Sequence, residues 1–376
     1  MYEAERGLFD LRQGRALYVS VPGAAGSLVA TVDGLDATTL ETLRRLGAPR
    51  LAVTRRRAAS MGLTPPPGEE AGGAAISLAL NGEGPDEILH LASARGPFRG
   101  AEADVRAASA SEMGGLTLAR LGRLLPAVVA VPAEPEDAPL RQALADGAVL
   151  SVTAAQVTEM AGQSGAEVVQ VSDGPVPLPE AEDARFILYR ETSGLREHVA
   201  VLLGPPERWP DPVPVRIHSA CLTGDLFGSL RCDCGEQLRG SVRVFAERGG
   251  GMLLYMAQEG RDIGLANKLR AYRLQADGLD TIDADELLGF DADERLYGAA
   301  VQILRTLGVR RVVLLTNNPD KVRALSAAGV DVVDRLPLFG TLNPHNRSYV
   351  TAKVDRAGHW LHDMLAGTDP AGKPRT

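Results

Sequence analysis

Cysteine and aromatic residues are scarce in this sequence. Its 376 residues include only three cysteines, and aromatic side chains make up 4% of the total. A disulfide framework needs cysteines that can pair, and three thiols in one short segment argue against it. Thiols that are few and clustered fit a reducing compartment. We therefore expect a cytoplasmic protein whose cysteines bind a metal.

Long apolar runs and an excess of positive charge are also missing. The longest apolar run, residues 124–133, contains proline and is shorter than the roughly 20 residues that span a bilayer. The first fifteen residues lack the apolar segment of a signal peptide. The formal net charge of −8 argues against a general surface for nucleic acid or acidic lipid. An anionic substrate must therefore be bound by a local group of basic side chains.

The length and the hydrophobic content indicate two domains with sizeable cores. A domain holds roughly 100–200 residues, and 45% of this chain is hydrophobic. Short apolar runs alternate with helical patterns, so we predict an α/β protein of two domains, each a mixed β-sheet packed with helices. The predicted parts are a first domain at 1–171, a proline-rich linker at 172–183, a second domain at 184–367 and a disordered tail at 368–376.

The first domain shows regular periodicity but little chemistry. It contains one histidine, His90, no cysteine, and carboxylates that are scattered along the chain. Nothing in this pattern alone indicates a catalytic site. The predicted elements are strands at 16–21, 28–32, 51–53 and 127–131, helices at 38–46 and 116–124, and a loop at 65–73.

All three cysteines lie in the stretch 213–235, with the spacing C-x10-C-x-C. Zinc prefers soft thiolate ligands, and three protein ligands leave the fourth tetrahedral position open for water. His218 is close enough in sequence to be a fourth ligand, which would make the site closed and structural. We interpret the stretch as an open, catalytic zinc site, with the closed structural site as the alternative. The three candidate ligands are Cys221, Cys232 and Cys234.

The remaining motifs of the second domain follow predicted strands. A strand at 252–256 leads into Gln-Glu-Gly-Arg at 258–261, where the glycine lets the backbone approach a ligand closely. Basic residues then follow up to Arg273 and would suit a triphosphate, or form an ordinary charged surface. We predict further strands at 213–217 and 311–315, a helix at 235–247, a helix capped by Asp291 or Asp293 with Arg295 in its first turn, and a helix capped by Asn318 that begins at Pro319.

The first domain resembles 3,4-dihydroxy-2-butanone 4-phosphate synthase. The similarity lies in D-L-R-Q-G-R-A-L-Y-V at 10–19, G-S-L-V-A-T at 26–31, the stretch 51–66, and L-A-R-L-G-R-L-L-P-A at 118–127. That family carries an acidic metal-binding loop after its first strand, where this chain has V-P-G-A-A-G at 21–26. Its G-H-T-E stretch is missing as well. We therefore expect an inactive domain with a structural role, in dimerisation or in shaping the other site.

The second domain resembles GTP cyclohydrolase II over about residues 184–359. The motifs are H-S-x-C-L-T-G-D, S-L-R-C-D-C-G, Q-E-G-R-x-I-G-L, N-K-L-R-A-Y, D-T-x-x-A, G-F-x-A-D-E-R and L-L-T-N-N-P, in this order. The resemblance implies a hydrolase of riboflavin biosynthesis that acts on a cyclic amidine. It would convert GTP to 2,5-diamino-6-(5-phosphoribosylamino)pyrimidin-4(3H)-one, formate and diphosphate, with zinc and magnesium as cofactors.

The resemblance also assigns roles to residues. The three cysteines would hold one Zn²⁺ per subunit, which activates water for attack on C8 of guanine. Tyr272 would position or protonate the opening ring. Arg295 would attack the α-phosphate with Asp293 as its base, or only stabilise phosphoryl charge, because a neutral arginine is scarce. Mg²⁺ would accompany the triphosphate, and the enzyme would be a homodimer. The implied substrate contacts are Arg216, Ile217, His218, Ser219, Gln237, Glu259, Gly260, Arg261, Thr281, Thr316 and Lys321.

Two positions depart from the family pattern. Ala220 stands where glutamate is common, which removes a carboxylate beside the cysteines and bears on base recognition. Asp262 stands where glycine or asparagine is common, which we expect to be a minor change. The alternatives are a cyclohydrolase for a different nucleotide and a nucleotide sensor without catalysis. Retention of the cysteines together with Tyr272, Asp293 and Arg295 disfavours the sensor.

Overall fold

The computed structural model of the protein describes residues 2–64, 75–98, 104–163, 165 and 167–367. The loop predicted at 65–73 and the tail predicted at 368–376 lie outside the described residues. As far as it is described, the chain forms two compact units. The first comprises Met1–Ser164, Ala266–Leu279 and Asp283–Glu294, and the second comprises Gly165–Leu265, Asp280–Ile282 and Arg295–Thr376. Two segments from the second half of the sequence therefore belong to the first unit.

The first unit is built on a mixed β-sheet. In the described residues its strands are β1 (Leu17–Val21), β2 (Ala24–Thr31), β3 (Arg50–Thr54), β4 (Ala75–Ala79), β5 (Val105–Ala107), β6 (Ala127–Ala133) and β7 (Leu150–Thr153). Their order is β5-β4-β3-β6-β2-β1-β7, in which only the β1–β7 pair is parallel. The helices are α1 (Tyr2–Arg12), α2 (Ala37–Leu46), α3 (Arg55–Ser60), α4 (Pro85–Ser93), α5 (Ala110–Leu121), α6 (Ala138–Ala145) and α7 (Ala154–Gln163).

Side chains that alternate along the strands give this sheet a core on each face. Leu51 and Val53 of β3 join the core on one face, which includes leucines of α2. Ala52 belongs to the core on the other face, where α5 contributes Leu116 and Ala119. The apolar periodicity of the sequence thus places helices on both faces.

The second unit also contains a mixed sheet. Its strands in the described residues are β8 (Val168–Pro175), β9 (Arg185–Glu191), β10 (Glu197–Leu203), β11 (Val213–Ser219), β12 (Gly251–Met256), β13 (Arg311–Leu315) and β14 (Asp331–Leu336). The order is β14-β13-β11-β12-β10-β9-β8. The first four strands are parallel to one another, and the last three add on as antiparallel neighbours.

The helices of the second half of the chain are α8 (Leu222–Asp225), α9 (Cys234–Glu247), α10 (Gly264–Ala276), α11 (Thr281–Leu287), α12 (Gly298–Thr306), α13 (Pro319–Ala327), α14 (Arg347–Asp355) and α15 (His362–Ala366), with a 3₁₀ helix at Pro206–Arg208. On one face of the second sheet α12 packs Ile303 and Leu304 against Ile217 of β11. On the other face Phe245 of α9 packs against Leu253 of β12. None of the described helices has the length and apolar character needed to cross a membrane.

Most of the predicted elements are confirmed. The two mixed sheets packed with helices confirm the predicted fold class. The strands predicted at 16–21, 51–53, 127–131 and 311–315 correspond to β1, β3, β6 and β13 within two residues at each end. The helix that begins at Pro319 is capped by the side chain of Asn318, which accepts from the amide of Asp320 as predicted. These segments have the clearest periodicity or the clearest caps.

Several local predictions differ from the structure. The helix predicted at 116–124 corresponds to α5 (Ala110–Leu121), which begins six residues earlier, and the strand predicted at 28–32 corresponds to the second half of β2 (Ala24–Thr31). Residues 172–175, predicted as part of a linker, form the end of β8, because their backbone pairs with β9. The helix predicted to start at Asp291 or Asp293 begins only at Gly298, so the prediction that Arg295 lies in its first turn is wrong. The carboxylate of Asp291 accepts hydrogen bonds from Arg56 and Arg120 and does not cap the helix. Tertiary contacts therefore override the capping signal of the sequence.

Candidate active site

The carboxyl ends of three neighbouring parallel strands carry most of the predicted site. β11 lies between β12 and β13 and is parallel to both. Parallel strands end at the same edge of a sheet, and ligands of α/β folds bind there. β11 ends at Ser219 before the cysteine segment, β12 leads to Glu259, and β13 leads to Thr316. The topology therefore gathers three motifs that are about 40–60 residues apart in sequence.

The three cysteines form one cluster. The Sγ atoms of Cys221, Cys232 and Cys234 all lie within 4.8 Å of one another, and those of Cys221 and Cys232 are 3.6 Å apart. Two thiolates that bind one tetrahedral zinc with bonds of about 2.3 Å would have sulfur atoms about 3.8 Å apart. The spacing of the thiols thus fits a shared metal ion.

A glycine permits this close approach of the thiols. A Cβ atom on Gly224 would lie 2.7 Å from the Sγ of Cys232 and 3.1 Å from that of Cys221. Side-chain atoms do not approach each other so closely, so this position needs glycine. The hydrogen bond with Cys221 raises the pKa of Cys232 to about 11. A divalent cation would reverse this shift, because the thiolate is the form that binds metal. The donor set therefore suits a soft cation such as zinc.

His218 has a different partner from the cysteines. Its Nε2 atom lies 3.1 Å from Oδ1 of Asp225, and its ring stacks on that of Tyr255 with centroids 5.6 Å apart. Burial lowers the pKa of His218, although the hydrogen bond with Asp225 acts in the opposite direction. The metal cluster found in the described residues consists of the three cysteines without His218. The arrangement favours the open site over the closed structural one.

Asp225 contacts the predicted site residues, although the sequence did not single it out. Its Oδ2 atom accepts from the hydroxyl of Tyr255 at 2.9 Å and from the backbone amide of Cys221 at 2.9 Å. The carboxylate thus fixes both His218 and the first cysteine. Asp225 follows Cys221 by four residues in the motif C-L-T-G-D. A carboxylate so close in sequence to a candidate metal ligand is the signal that could have identified it. Tyr255 had a signal as well, because it is a polar residue in a buried strand.

Polar atoms without partners mark the end of β11. Nε of Arg216, Nδ1 of His218 and Oγ of Ser219 are buried and have no hydrogen-bond partner in the described part of the chain. Buried polar groups are nearly always paired in folded proteins, so each unpaired one calls for an explanation. Three such atoms within four residues indicate a place where a polar ligand supplies the missing bonds.

Arg216 is held in place by the groups around it. Its guanidinium donates to the carbonyl of Leu315 at 2.8 Å and to Oε1 of Gln237 at 2.6 Å. Gln237 in turn donates to Asp233 at 2.6 Å. Burial lowers the pKa of Arg216, and the charge of Asp233 acts in the opposite direction. The two predicted substrate residues Arg216 and Gln237 are therefore in direct contact.

The loop after β12 has an unusual backbone. Gly260, Arg261 and Asp262 have φ angles of +62°, +60° and +74°. Left-handed conformations cost energy for residues other than glycine. Glu259 accepts from the backbone amide of Leu222 at 2.6 Å, which ties the loop to the cysteine segment. The tertiary structure must therefore hold this loop in place.

A buried ion-pair network supports that loop. Arg196 is 7% exposed and donates to Asp262 at 2.5 Å and to Glu191 at 3.2 Å. Nε2 of His198 lies 3.2 Å from Glu191, and its Nδ1 accepts from the amide of Ala257 at 3.1 Å. Burial acts to raise the pKa of Glu191, but the hydrogen bond with His198 and the charge of Arg196 outweigh it, so the pKa is lowered. Asp262 is thus the partner of a buried arginine and more than a minor change.

The segment after β13 contributes the last group of predicted residues. Thr316 is buried, and its hydroxyl accepts from the amide of Asn318 at 3.0 Å. Lys321 lies in the first turn of α13, and its ammonium donates to the carbonyl of Ile217 at 2.7 Å. The ammonium is therefore anchored at β11, next to the unpaired polar atoms.

The predicted catalytic residues are divided between the two units. Arg295 and Thr281 belong to the second unit, as do the cysteines and the other predicted substrate residues. Tyr272 and Asp293 belong to the first unit. Tyr272 lies on α10, where the ammonium of Lys268 is 5.7 Å from the centre of its ring.

Comparison with known proteins identifies the family. The family model for GTP cyclohydrolase II matches residues 170–337. "GTP cyclohydrolase-2" of Azospirillum brasilense is 41% identical over 371 residues, which cover 96% of this chain and 94% of that protein. The enzyme of the same name from Xylella fastidiosa strain 9a5c is 41% identical, with 95% of this chain and 87% of that protein covered. A shorter one from Azotobacter vinelandii is 48% identical and matches 53% of this chain with 95% of its own length. Since this identity extends over nearly the whole sequence, the chain belongs to the GTP cyclohydrolase II family.

Proposed function

We propose that the protein hydrolyses GTP to the diaminopyrimidine, formate and diphosphate, as the GTP cyclohydrolase II of riboflavin biosynthesis. The observation that carries the proposal is the row of unpaired polar atoms at Arg216, His218 and Ser219, which leads directly into the cysteine cluster. A nucleotide bound at this edge would satisfy these atoms and lie beside the metal ligands. Family membership supplies the identity of the nucleotide.

Cys221, Cys232 and Cys234 are proposed to hold one zinc ion. When bound, zinc acts as a Lewis acid and makes water reactive near neutral pH. Magnesium is proposed to accompany the triphosphate, because it usually binds through phosphate oxygens and few protein groups. Asp225 keeps the cysteine segment in position through the amide of Cys221.

Basic residues in this unit would bind the triphosphate. The chain carries a formal net charge of −8, so it attracts an anion only where cations are grouped. Lys321 lies in the first turn of a helix whose N-terminus favours phosphate, and its ammonium donates to the carbonyl of Ile217 near the end of β11. Arg261 lies in the loop with positive φ angles. We propose that both cations, together with Thr316, contact the phosphates.

The hydrolytic roles of three residues are carried over from the family. Tyr272 is proposed to position or protonate the opening ring. Arg295 is proposed to act at the α-phosphate, either by attack with Asp293 as base or by stabilising the charge that develops there. All three residues are present at their motif positions in this chain.

The proposal is tested by incubating the zinc-loaded protein with GTP and magnesium. Formate and the diaminopyrimidine should appear in equal amounts, together with diphosphate. Chelation of zinc should stop the reaction, and added zinc should restore it. Absence of all three products from protein with a full complement of zinc would contradict the proposal.

A second candidate is a cyclohydrolase for a different nucleotide, and Ala220 favours it. This residue lies between Ser219 and Cys221, and its amide donates to the carbonyl of Met256 at 2.8 Å. The methyl group stands where glutamate is common, so this position offers no carboxylate for recognition of the base. A panel of purine and pyrimidine nucleoside triphosphates separates the two candidates. Turnover of another nucleotide faster than GTP would establish the second.

The synthase-like part of the chain, which is the predicted first domain at residues 1–171, is proposed to be inactive. The acidic loop of the synthase family would follow β1, but here Val21 pairs with Ala24 and only Pro22 and Gly23 form the turn. This tight hairpin offers no carboxylate for a divalent metal.

Ribulose 5-phosphate should therefore remain unchanged when incubated with the protein and magnesium. The measurement is the formation of dihydroxybutanone phosphate and formate, with an authentic synthase as positive control. Formation of the product above the background of enzyme-free buffer would show that the hairpin does not abolish the activity.

We also propose a homodimer. Leu226, Phe227 and Leu230 lie in one loop and are 70%, 74% and 59% exposed. Apolar side chains grouped on a surface are typical of a protein interface. Light scattering should give a mass of about twice the 39.7 kDa of one chain, and a monomer mass at working concentration would refute the dimer.

A further inference from the structure

The first unit carries part of the proposed catalytic machinery. Besides residues 1–164 it includes Ala266–Leu279 and Asp283–Glu294, which contain Tyr272 and Asp293. A domain that had merely lost its own activity would have no need to bind these segments specifically. The contacts inside this unit show how they are held.

Thr54 at the end of β3 and Arg57 of α3 bind the C-terminal end of α11. The hydroxyl of Thr54 donates to the carbonyl of Gly289 at 2.9 Å, and the guanidinium of Arg57 donates to that of Leu287 at 3.2 Å. Carbonyl groups at a helix end have no partner within the helix, so these bonds fix where α11 ends. Gly289 has a φ of +95°, and a Cβ atom there would lie 2.7 Å from the hydroxyl of Thr54. Position 289 therefore has no room for a side chain.

Arg57 is an internal anchor for this contact. It is 2% exposed and also donates to the carbonyls of Leu91 and Ala94, each at 2.8 Å. Burial lowers the pKa of Arg57 to about 10, so it remains a cation at neutral pH. A buried charge without a carboxylate partner is costly to place, and the bond of Arg57 to Leu287 joins residues 1–164 to α11.

Two further arginines bind the segment that leads to Asp293. Arg56 contacts Glu286 at 2.6 Å and Asp291 at 2.8 Å. Arg120 contacts Asp291 at 2.7 Å and Glu294 at 2.7 Å. Glu294 also accepts from the amide of Asp291 at 2.8 Å, which closes a small ring around residues 291–294. Asp293 lies within this ring.

The helix that carries Tyr272 is held in the same way. Arg270 of α10 donates to Asp33 at 2.5 Å, and Asp33 also accepts from the amide of Leu125 at 2.7 Å. Asn267 donates to the carbonyl of Arg123 at 3.0 Å. Both proposed catalytic residues of the first unit therefore lie on segments bound by polar groups of residues 1–164.

We propose that the synthase-like part positions the catalytic segment of the cyclohydrolase, with Arg56 and Arg120 as positioning residues for Asp293. The inference rests on the proposed function, because it takes Asp293 as a catalytic residue. The two arginines touch only the flanking carboxylates and act through them. Without these bonds the stretch 291–297, which has no regular secondary structure, would lose its fixed conformation.

The test uses the full-length, zinc-loaded protein with the double substitution Arg56→Met and Arg120→Met. Methionine keeps the aliphatic volume and removes the charge, and both arginines are partly exposed, so the fold should persist. Amide hydrogen exchange of residues 281–297 should become faster, while the exchange of the cysteine segment stays unchanged. The kcat for GTP should fall roughly 10- to 100-fold, because small misplacement of a catalytic group has effects of this size. KM and zinc content should change little.

Two matched variants complete the experiment. Arg15→Met removes an exposed arginine that pairs with Asp10 at 3.2 Å in the same unit, and it should alter neither the exchange nor kcat. Arg120→Lys with Arg56 intact keeps a cation beside Asp291 and Glu294, and this variant should retain most of the kcat of the unaltered protein. If the double variant does not fold, the single substitution Arg120→Met replaces it, with smaller changes in exchange and kcat in the same direction.

The outcomes separate the positioning role from the proposed function. Unchanged exchange in residues 281–297, or faster exchange with unchanged kcat, would overturn the inference. Failure of the unaltered protein to release formate from GTP would instead contradict the proposed function. In that case the exchange measurement would still decide whether Arg56 and Arg120 hold the segment.

Discussion

Replacing Cys232 by serine should abolish GTP turnover and remove the bound zinc. Substitution of residues that merely support a metal ligand typically lowers affinity or activity by roughly 10- to 100-fold, so loss of a ligand itself should exceed this range. Only two thiols of the cluster would remain, and a serine hydroxyl is a poor ligand for a soft cation. Gly224 already lies against both Cys221 and Cys232, so the cluster has no space to rearrange around a new ligand.

The measurement is zinc content by mass spectrometry together with formate release. Ser229→Ala is a suitable control, because it lies in the same segment and its hydroxyl makes only a 3.3 Å contact with the amide of Arg231. The control should retain both zinc and turnover. Turnover by Cys232→Ser protein that contains no zinc would show that the metal is not required. GTP turnover by the unaltered protein, lost in the Cys232→Ser variant, would also show that Ala220 is a tolerated variation.

Replacing Arg196 by methionine should destabilise the second unit by about 3–5 kcal/mol. The substitution leaves Glu191 and Asp262 buried, with side chains 3% and 4% exposed, without their shared cation. Removing one partner of a buried ion pair has effects of this size, because the other charge stays away from water. Asp262 also has a positive φ, so the loop that carries Glu259 should relax at the same time.

Arg190→Met is the matched control, on the same strand as Glu191. Arg190 pairs with Glu197 at 2.7 Å, but both side chains are about half exposed, and such surface pairs contribute about 0–1 kcal/mol. Chemical denaturation of the two variants gives the comparison directly. Equal stability of both variants and the unaltered protein would show that the buried network does not support the fold.

The network also predicts a pH dependence. The folded-state pKa of Glu191 is lowered from its ordinary value of 4.5. A lowered carboxylate pKa contributes stability that is present above the unfolded value and is lost as the pH falls through the folded value. Acid should therefore destabilise the unaltered protein below about pH 4.5 more steeply than Arg196→Met, in which Glu191 has lost a cation. Chemical denaturation at a series of pH values gives the free energy of unfolding of both proteins, and the difference between their pH dependences is the measurement.

The sequence by itself determined the family of this protein and most of its elements. The C-x10-C-x-C spacing predicted a cysteine cluster that could hold a metal ion, because thiolate chemistry depends on residue type, and the strands β1, β3, β6 and β13 followed from local periodicity. The cap at Asn318 was predictable because capping acts over three residues. The ordered motifs identified the family.

Only the tertiary structure decided which distant groups support the site. The role of Asp225 depends on contacts with His218 and Tyr255 on two strands, and that of Asp262 depends on Arg196, 66 residues away. Contacts between residues distant in sequence also explain why α12 begins only at Gly298 and why residues 283–294 belong to the first unit. Arginines of the synthase-like part bind the carboxylates that would otherwise cap a helix, and periodicity within one segment contains no information about such partners.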